Sequence, residues 1–201
     1  MFQFFKKHQK PLFEGLCDMH NHLLPSIDDG SKDIAMSSKM LEGYLALGFT
    51  SVIPTPHVYQ ELYPNTPETV KNAFGDLSKH CLKEGTVKVP SYAAEYMVDE
   101  VFMKNLESGI PALLLQEKYI LLEINFFGLT TMLESACFQL QQKGLSPILA
   151  HPERFHMISN VAAYKELKNK GFYFQLNALS LLGHYGPQVK QKAENILQAG
   201  L

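Results

Sequence analysis

Residues 18–30 read DMHNHLLPSIDDG, and this stretch decides which fold the rest of the chain must fit. His20 and His22 stand two positions apart at the end of a short apolar run. Side chains at i and i+2 of a strand point to the same face, so the two imidazoles can reach one cation. Asp18 is placed to orient one of the rings by accepting its second N–H. The pattern predicts a metal site at the end of a strand.

The loop after this strand contains Asp28, Asp29 and Gly30. Asp-Gly is a common turn pair, so both acids can be solvated turn residues. The alternative is that a carboxylate of this loop folds back over the metal. In that case Asp29 is the candidate ligand.

Four more polar residues stand directly after later apolar runs: His57 after PTP, Glu95 after YAA, Glu123 after ILL and His151 after ILA. A lone histidine or acid in such a place can also be a surface residue or a helix cap. Burial of an unpaired carboxylate is costly. A site with several metal ions accounts for two buried carboxylates, because each can bridge two cations. We therefore predict all four residues to be metal ligands.

Short apolar runs alternate with amphipathic stretches along the whole chain. Strands are predicted at residues 16–19, 50–54, 87–94, 119–124, 146–150 and 172–176. Helices are predicted at residues 31–47, 66–84, 130–143, 161–170 and 188–198, with Ser31 and Thr66 as N-caps. This alternation indicates an α/β fold with a parallel sheet. A chain of 201 residues suits one domain, residues 1–201.

Two architectures of this class fit the pattern, an open doubly wound sheet and a (β/α) barrel. An open sheet gathers functional groups near one switch point, whereas a barrel gathers them at the carboxyl ends of many strands. The candidate ligands follow five different predicted strands, and Asn177 follows the sixth. The even spread favours a barrel that is small or distorted.

Arg154 is the only arginine of the chain and lies in the motif HPER, residues 151–154. Its planar fork suits a phosphate, and the alternative is a surface ion pair. A cysteine-dependent phosphatase would need a cysteine six residues before its arginine, where this chain has Ile148. The widely spaced Cys17, Cys81 and Cys137 are predicted to be apolar packing residues, neither nucleophiles nor disulfide partners.

Composition excludes several classes of function. The formal net charge is −2 and no basic run is longer than Lys6-Lys7, so nothing favours nucleic-acid binding. No apolar stretch reaches the roughly 18 residues of a membrane-spanning helix, and the N-terminus lacks the features of a signal peptide. We expect a cytoplasmic protein without stable membrane insertion. The apolar side chains of Phe2, Phe4 and Phe5 would permit a homo-oligomer.

Together these segments resemble the polymerase and histidinol phosphatase (PHP) superfamily. Within it they resemble the bacterial tyrosine phosphatases of capsular and exopolysaccharide operons. The resemblance rests on residues 18–30, 54–57, 94–95, 122–123, 150–154 and 175–177. It implies a distorted (β/α)7 barrel of the TIM-like type with up to three divalent metal ions, manganese first and iron or zinc as alternatives. It also implies hydrolysis of phosphotyrosine on a partner tyrosine kinase whose autophosphorylated tail tunes polysaccharide export.

The same resemblance implies a role for each candidate ligand. His20 and His22 would bind the first metal, and Glu95 would bridge the first and the second. The implied reaction is in-line attack on phosphorus by a hydroxide that the metals activate.

The remaining candidates complete this set of implied roles. Glu123 and His151 would complete the second metal site. Asp29 and His57 would serve the third metal. Arg154 would hold the phosphate and stabilise the charge that develops on it.

One departure from the family pattern concerns the last residues. The family has a further strand that ends in a Ser-Asp-Ala-His-type motif, and this sequence stops at Leu201, where that strand would begin. We therefore expect the chain to lack the last strand and helix of the barrel, with one ligand each of the first and third metals. Two alternatives stay open, another PHP phosphoesterase such as a histidinol-phosphate phosphatase, and a PHP-fold binding module with impaired catalysis.

Overall fold

The computed structural model describes residues 13–81, 87–125, 131–158 and 160–201. Phe2, Phe4 and Phe5 lie outside these ranges, so the self-association that they suggest stays a prediction. Within the described ranges, strands alternate with helices and all strand-to-strand pairings are parallel. This confirms the α/β class with parallel strands.

The chain divides into two compact units, each of which is discontinuous in sequence. The first unit comprises Met1–Pro56 and Glu68–Tyr92, and the second comprises His57–Pro67 and Ala93–Leu201. Each unit contains its own parallel sheet, with two strands in the first and five in the second among the described residues.

In the first unit, strand β1 (Cys17–Asp18) pairs with strand β2 (Ser51–Val52). Helix α1 (Ile34–Ala46) connects the two strands, and most of helix α2 (Pro67–Cys81) also belongs to this unit. Pro67 opens α2 as predicted, since proline at the first helical position sacrifices no hydrogen bond. The predicted continuation of α2 over residues 82–84 lies outside the described ranges.

The N-cap of α1 differs from the prediction. Asp33 caps the helix, and its carboxylate accepts a hydrogen bond of 2.7 Å from the backbone N–H of Met36. Ser31 is fully buried, and its hydroxyl lies 2.8 Å from the hydroxyl of Ser37. The predicted cap at Ser31 is therefore wrong, because its hydroxyl is engaged in this buried contact.

The sheet of the second unit has five strands in the order β3-β4-β5-β6-β7. They are β3 (His57–Val58), β4 (Glu95–Met97), β5 (Tyr119–Glu123), β6 (Ser146–Ala150) and β7 (Tyr173–Gln175). The helices of this unit are α3 (Glu100–Glu107), α4 (Thr131–Gln142), α5 (Val161–Asn169), α6 (Ala178–Leu181) and α7 (Pro187–Gln198). A 3-10 turn, Pro152–Arg154, follows β6.

Strand order in this sheet follows chain order without a reversal. A doubly wound sheet changes direction at a switch point, and there its ligands bind. The five strands have no such point. Their carboxyl ends therefore lie along one edge of the sheet, which positions the residues described below.

Two strand boundaries correct the sequence prediction. Residues 87–94 were expected to form a strand, but within them Lys88 makes only an isolated bridge to Ser51. Pro90 has no N–H to donate to a ladder, and the strand β4 begins only at Glu95. The strand predicted at residues 50–54 is also shorter than expected, because β2 ends at Val52, before Pro54 and Pro56. The next strand, β3, was not predicted and belongs to the five-stranded sheet.

Two helices of the second unit were not predicted. Helix α3 has a clear start signal, because the Asp99 carboxylate accepts a 2.7 Å hydrogen bond from the backbone N–H of Phe102. Helix α6 has only four residues, too few for a periodic pattern.

The core of the second unit lies between the sheet and its helices. Helix α4 contributes Leu133, Ala136, Cys137 and Leu140, which lie on one helical face and are buried in the same cluster as Leu122 of β5. Burial raises the pKa of the Cys137 thiol to about 11, which disfavours a thiolate. Cys81 and Cys137 are buried, as predicted for packing residues, but Cys17 is exposed on β1, so the prediction is wrong for Cys17. In the described part of the chain, no helix has both the length and the apolar surface needed to cross a bilayer.

Candidate metal centre

Four predicted ligands of the second unit lie on neighbouring strands. His57 is the first residue of β3, Glu95 is the first residue of β4, and Glu123 is the last residue of β5. His151 directly follows β6. His57 is paired with Glu95 in the register of the two strands. The parallel sheet therefore brings together four residues that are far apart in sequence.

Glu95 lies between two imidazoles. Its Oε1 is 2.9 Å from Nε2 of His151, and its Oε2 is 3.2 Å from Nδ1 of His57. The same Nδ1 of His57 is 2.7 Å from Oε1 of Glu123. Potential ligand atoms of His57, Glu95 and Glu123 all lie within 4.8 Å of one another.

Burial makes this arrangement costly without a cation. Glu95 is 0% exposed and Glu123 is 6% exposed. Nδ1 of His57 can carry one proton at most, yet it faces two carboxylate oxygens. Two buried carboxylates need more positive charge than one shared proton supplies. Imidazole nitrogens and carboxylate oxygens are the donors that zinc, iron and manganese accept, so the four residues fit a divalent metal ion.

The backbone at His151 adopts a conformation that is uncommon for a residue with a side chain. Its φ is 34° and its ψ is 49°, in the left-handed region. Such strain persists only where the surroundings enforce it, and it is frequent at functional sites. Here the side-chain Oε1 of Gln175 on β7 accepts a 3.1 Å hydrogen bond from the backbone N–H of His151. The turn is thereby held with the imidazole directed at Glu95.

The remaining predicted ligands lie in the first unit. The rings of His20 and His22 have their centroids 5.6 Å apart, and each offers a ligand atom within 4.8 Å of the other. A carboxylate oxygen of Asp29 also lies within 4.8 Å of a ring nitrogen of His22. The structure thus brings His20, His22 and Asp29 together in the first unit.

The carboxylate that orients an imidazole here is Asp28, which the sequence analysis treated only as a turn residue. Its Oδ2 lies 2.8 Å from Nδ1 of His22, and its side chain has no exposed surface. Its Oδ1 accepts a 3.0 Å hydrogen bond from the backbone N–H of Gly30. Because Nδ1 is engaged by Asp28, Nε2 is the ring atom of His22 that suits a metal.

Asp18, expected to orient a ring, makes different contacts. Its Oδ1 accepts a 3.0 Å hydrogen bond from the backbone N–H of His20. Burial, together with the charge of Asp18 and a hydrogen bond to it, raises the pKa of the Tyr44 hydroxyl above its usual range. Asp18 therefore supports the backbone that carries His20.

Arg154, the predicted phosphate ligand, ends the 3-10 turn after β6 and is half-buried. Its guanidinium carbon lies 4.6 Å from the centroid of the Tyr185 ring. The sequence analysis did not identify Tyr185, because no local pattern links it to the HPER motif.

A cavity of about 590 Å³ in the second unit is separate from these residues. It is lined by Val58, Tyr96, Phe102, Ile120 and other mainly apolar side chains. Tyr96 follows Glu95 in β4, and successive side chains of a strand point to opposite faces. The cavity therefore lies on the face of the sheet opposite the ligand residues.

Comparisons with known proteins point to one family. Residues 16–201 match the sequence profile of a family described as capsular polysaccharide synthesis, CpsB/CapC. The chain is 32% identical over 187 residues to the tyrosine-protein phosphatase YwqE of Bacillus subtilis, covering 92% of this chain and 74% of that protein. It is 28% identical over 191 residues to the putative tyrosine-protein phosphatase CapC of Staphylococcus aureus, covering 92% and 73%.

A solved structure shows the same relationship in three dimensions. It comes from work on YwqE from Bacillus subtilis and CpsB from Streptococcus pneumoniae, described as unique metal-dependent tyrosine phosphatases. The TM-score is 0.82 at 32% identity, covering 92% of this chain and 75% of that chain.

Proposed function

This chain belongs to the CpsB/CapC family of capsular polysaccharide synthesis, and on that premise we propose that it is a metal-dependent tyrosine phosphatase. Its substrate is phosphotyrosine on a protein. The observation that carries the proposal is the buried Glu95 carboxylate, which lies 2.9 Å from one imidazole and 3.2 Å from another. Relatives that are named tyrosine-protein phosphatases support the choice of substrate.

We further propose metal ligands in each of the two units. In the second unit they are His57, Glu95, Glu123 and His151. In the first unit they are His20, His22 and Asp29. Up to three divalent ions are bound. The donors also suit iron and zinc, and Mn²⁺ is our first choice because the resemblance to the PHP superfamily implies it.

The chemistry divides between the ions and the chain. When bound, the divalent ions lower the pKa of a water molecule and neutralise charge on the phosphoryl oxygens. Arg154 binds the phosphate through its planar fork. Tyrosinate leaves readily, since the parent pKa is about 10, so a strong general acid is not required.

The protein substrate is a bacterial tyrosine kinase of polysaccharide synthesis, located with this chain in the cytoplasm. One family profile spans residues 16–201 and therefore both compact units, which supports a single catalytic domain. The unreversed strand order of the second unit supports a distorted (β/α)7 barrel of the PHP type. The homo-oligomer stays a proposal based on the N-terminal sequence.

The decisive experiment is hydrolysis of a phosphotyrosine peptide with and without added Mn²⁺. We expect EDTA to abolish turnover and Mn²⁺ to restore it. His20→Ala is expected to lower kcat/KM by roughly 100-fold or more, because it removes one metal ligand. His80→Ala is the matched control, since His80 is exposed on α2 and is not a proposed ligand.

Other substrates separate this proposal from its alternatives. Faster hydrolysis of histidinol phosphate or of an oligonucleotide than of the peptide would contradict a tyrosine phosphatase. Binding of a phosphotyrosine protein without metal and without turnover would instead indicate a binding module.

Asp28 offers a test that does not depend on the choice of substrate. Asp28→Ala is expected to weaken Mn²⁺ binding by about 10- to 100-fold, because His22 loses the group that fixes its ring. Isothermal titration calorimetry measures this change. Asp76→Ala is the control, because Asp76 is an exposed acid on α2 whose partner Lys79 lies 3.9 Å away. Equal Mn²⁺ affinity of Asp28→Ala and the unmodified chain would contradict the assigned role of Asp28.

A further inference from the structure

Arg154 is held over an aromatic ring of a distant segment. Its guanidinium carbon lies 4.6 Å from the ring centroid of Tyr185, within the distance at which a cation is attracted to a π-face. Tyr185 lies between α6 and α7 and is half-buried. The sequence neighbours Gly183 and Gly186 have φ values of 82° and 94°, which allow the tight turn that presents the ring.

Glu153, which precedes Arg154 in the 3-10 turn, fixes this turn to the start of α6. Glu153 is 0% exposed. Its Oε1 accepts hydrogen bonds from the backbone N–H of Asn177 at 3.0 Å and from the hydroxyl of Ser180 at 2.7 Å. Hydrogen bonds to a buried charge are among the stronger ones, so this carboxylate ties the 3-10 turn to the start of α6.

Asn177 also connects to Tyr185. The side-chain Nδ2 of Asn177 donates a hydrogen bond of 3.4 Å to the Tyr185 hydroxyl, and its Oδ1 caps α6 at Leu179. The His184 ring meets the Tyr185 ring edge-on, with centroids 4.9 Å apart. The contacts form a closed path from Glu153 through Asn177 and Tyr185 to Arg154.

We propose that Tyr185 is a positioning residue that orients the Arg154 guanidinium for the phosphoryl group. This inference rests on the proposed function of the site. It adds that Tyr185 raises the affinity of the site for phosphate by orienting Arg154. A long arginine side chain loses entropy when it is ordered for binding, and a ring that already orders it reduces that cost. A guanidinium over a ring face keeps its N–H groups directed outward in its own plane, where a phosphate can accept two of them.

The test measures binding of inorganic phosphate to the Mn²⁺-loaded chain by isothermal titration calorimetry, so it does not require turnover. Tyr185→Leu is expected to weaken phosphate binding by roughly 5- to 20-fold, in the range of a partly desolvated cation–π contact. Tyr185→Phe keeps the ring and is expected to retain most of the affinity. In an Arg154→Met background, Tyr185→Leu is expected to have no further effect, because the two residues act as a unit.

The matched control is Tyr173→Leu. Tyr173 also lies under a cation, since Lys168 Nζ is 4.8 Å from its centroid, but it belongs to β7 and has no contact with Arg154 among the described residues. Melting temperatures of all variants exclude a general loss of fold. Unchanged phosphate binding in Tyr185→Leu would overturn the inference, as would a loss that persists in the Arg154→Met background.

The inference and the proposed function fail in different ways. If the Mn²⁺-loaded chain binds phosphate through Tyr185 but does not hydrolyse the phosphotyrosine peptide, the inference stands and the activity is wrong. If it hydrolyses the peptide and Tyr185→Leu binds phosphate normally, the activity stands and Tyr185 has no positioning role. A chain that binds no phosphate at all also overturns the inference.

Discussion

Glu95→Gln is expected to lower kcat/KM for a phosphotyrosine peptide by roughly 1000-fold and to reduce the metal content of the purified protein. The substitution preserves shape, because glutamine replaces one carboxylate oxygen by NH2. It removes the negative charge that faces both His57 and His151. An amide is a far weaker metal ligand than a carboxylate. Enzyme kinetics with Mn²⁺ and metal analysis by mass spectrometry measure the two effects.

Thermal unfolding separates loss of the metal from loss of the fold. In EDTA, Glu95→Gln is expected to melt at the same temperature as the unmodified chain or higher, since a buried charge has been removed. With Mn²⁺, the unmodified chain is expected to gain stability and Glu95→Gln is not, because the variant no longer binds the ion tightly in the folded state. Glu107→Gln, on the exposed end of α3, is the control and should behave like the unmodified chain in both conditions. Normal turnover of Glu95→Gln would contradict the proposal that Glu95 is a metal ligand required for catalysis.

Gly30→Ala is the second substitution with a large expected effect. A Cβ at position 30 would overlap the carbonyl oxygen and the Cβ of His22. The same carbonyl accepts a 3.0 Å hydrogen bond from the backbone N–H of Ser31, so the loop cannot move away without breaking it. We expect the free energy of unfolding to fall by about 1–3 kcal/mol, as in other overpacked positions. Mn²⁺ affinity should fall as well, because the overlap is with His22 itself and because the Gly30 N–H donates a hydrogen bond to Asp28, which orients the His22 ring.

Gly43→Ala provides the matched control within the same unit. Gly43 lies inside α1, and a Cβ there meets nothing within 4 Å. That substitution is expected to raise the free energy of unfolding by about 0.5–1 kcal/mol, because alanine favours helix. Urea unfolding of both variants, with and without Mn²⁺, gives the comparison. A Gly30→Ala variant as stable as Gly43→Ala would show that the loop tolerates a side chain.

Regular strands were predictable because apolar runs define them. β5 and β6 lie within one residue of their predicted bounds, since both are continuous buried runs that end at a polar residue. β3 was not predictable, because its two residues have no pattern of their own and are a strand only through pairing with β4. Tertiary pairing, absent from any local window, decides such short elements.

The candidate site divides in the same way. His57, Glu95, Glu123 and His151 were predictable from their places beside apolar runs, and parallel pairing brings them together. The role of Asp28 was not predictable, because only the loop conformation determines which of the two acids lies against Nδ1 of His22. Tyr185 was not predictable, since its contact with Arg154 depends on the path of the chain through α6.

The interleaving of the two units has a consequence for protein synthesis and for the design of fragments. During translation β3 is synthesised before α2, and its partner strand β4 is synthesised after it. β3 therefore stays unpaired while Glu68–Tyr92, which belongs to the first unit, is being synthesised. The second unit cannot form during translation until this inserted segment has been released. For the same reason, no single cut isolates the second unit, because a fragment that begins at Ala93 lacks β3 and His57. An expression fragment of this unit would need residues 57–67 joined to its N-terminus by a linker in place of the inserted segment.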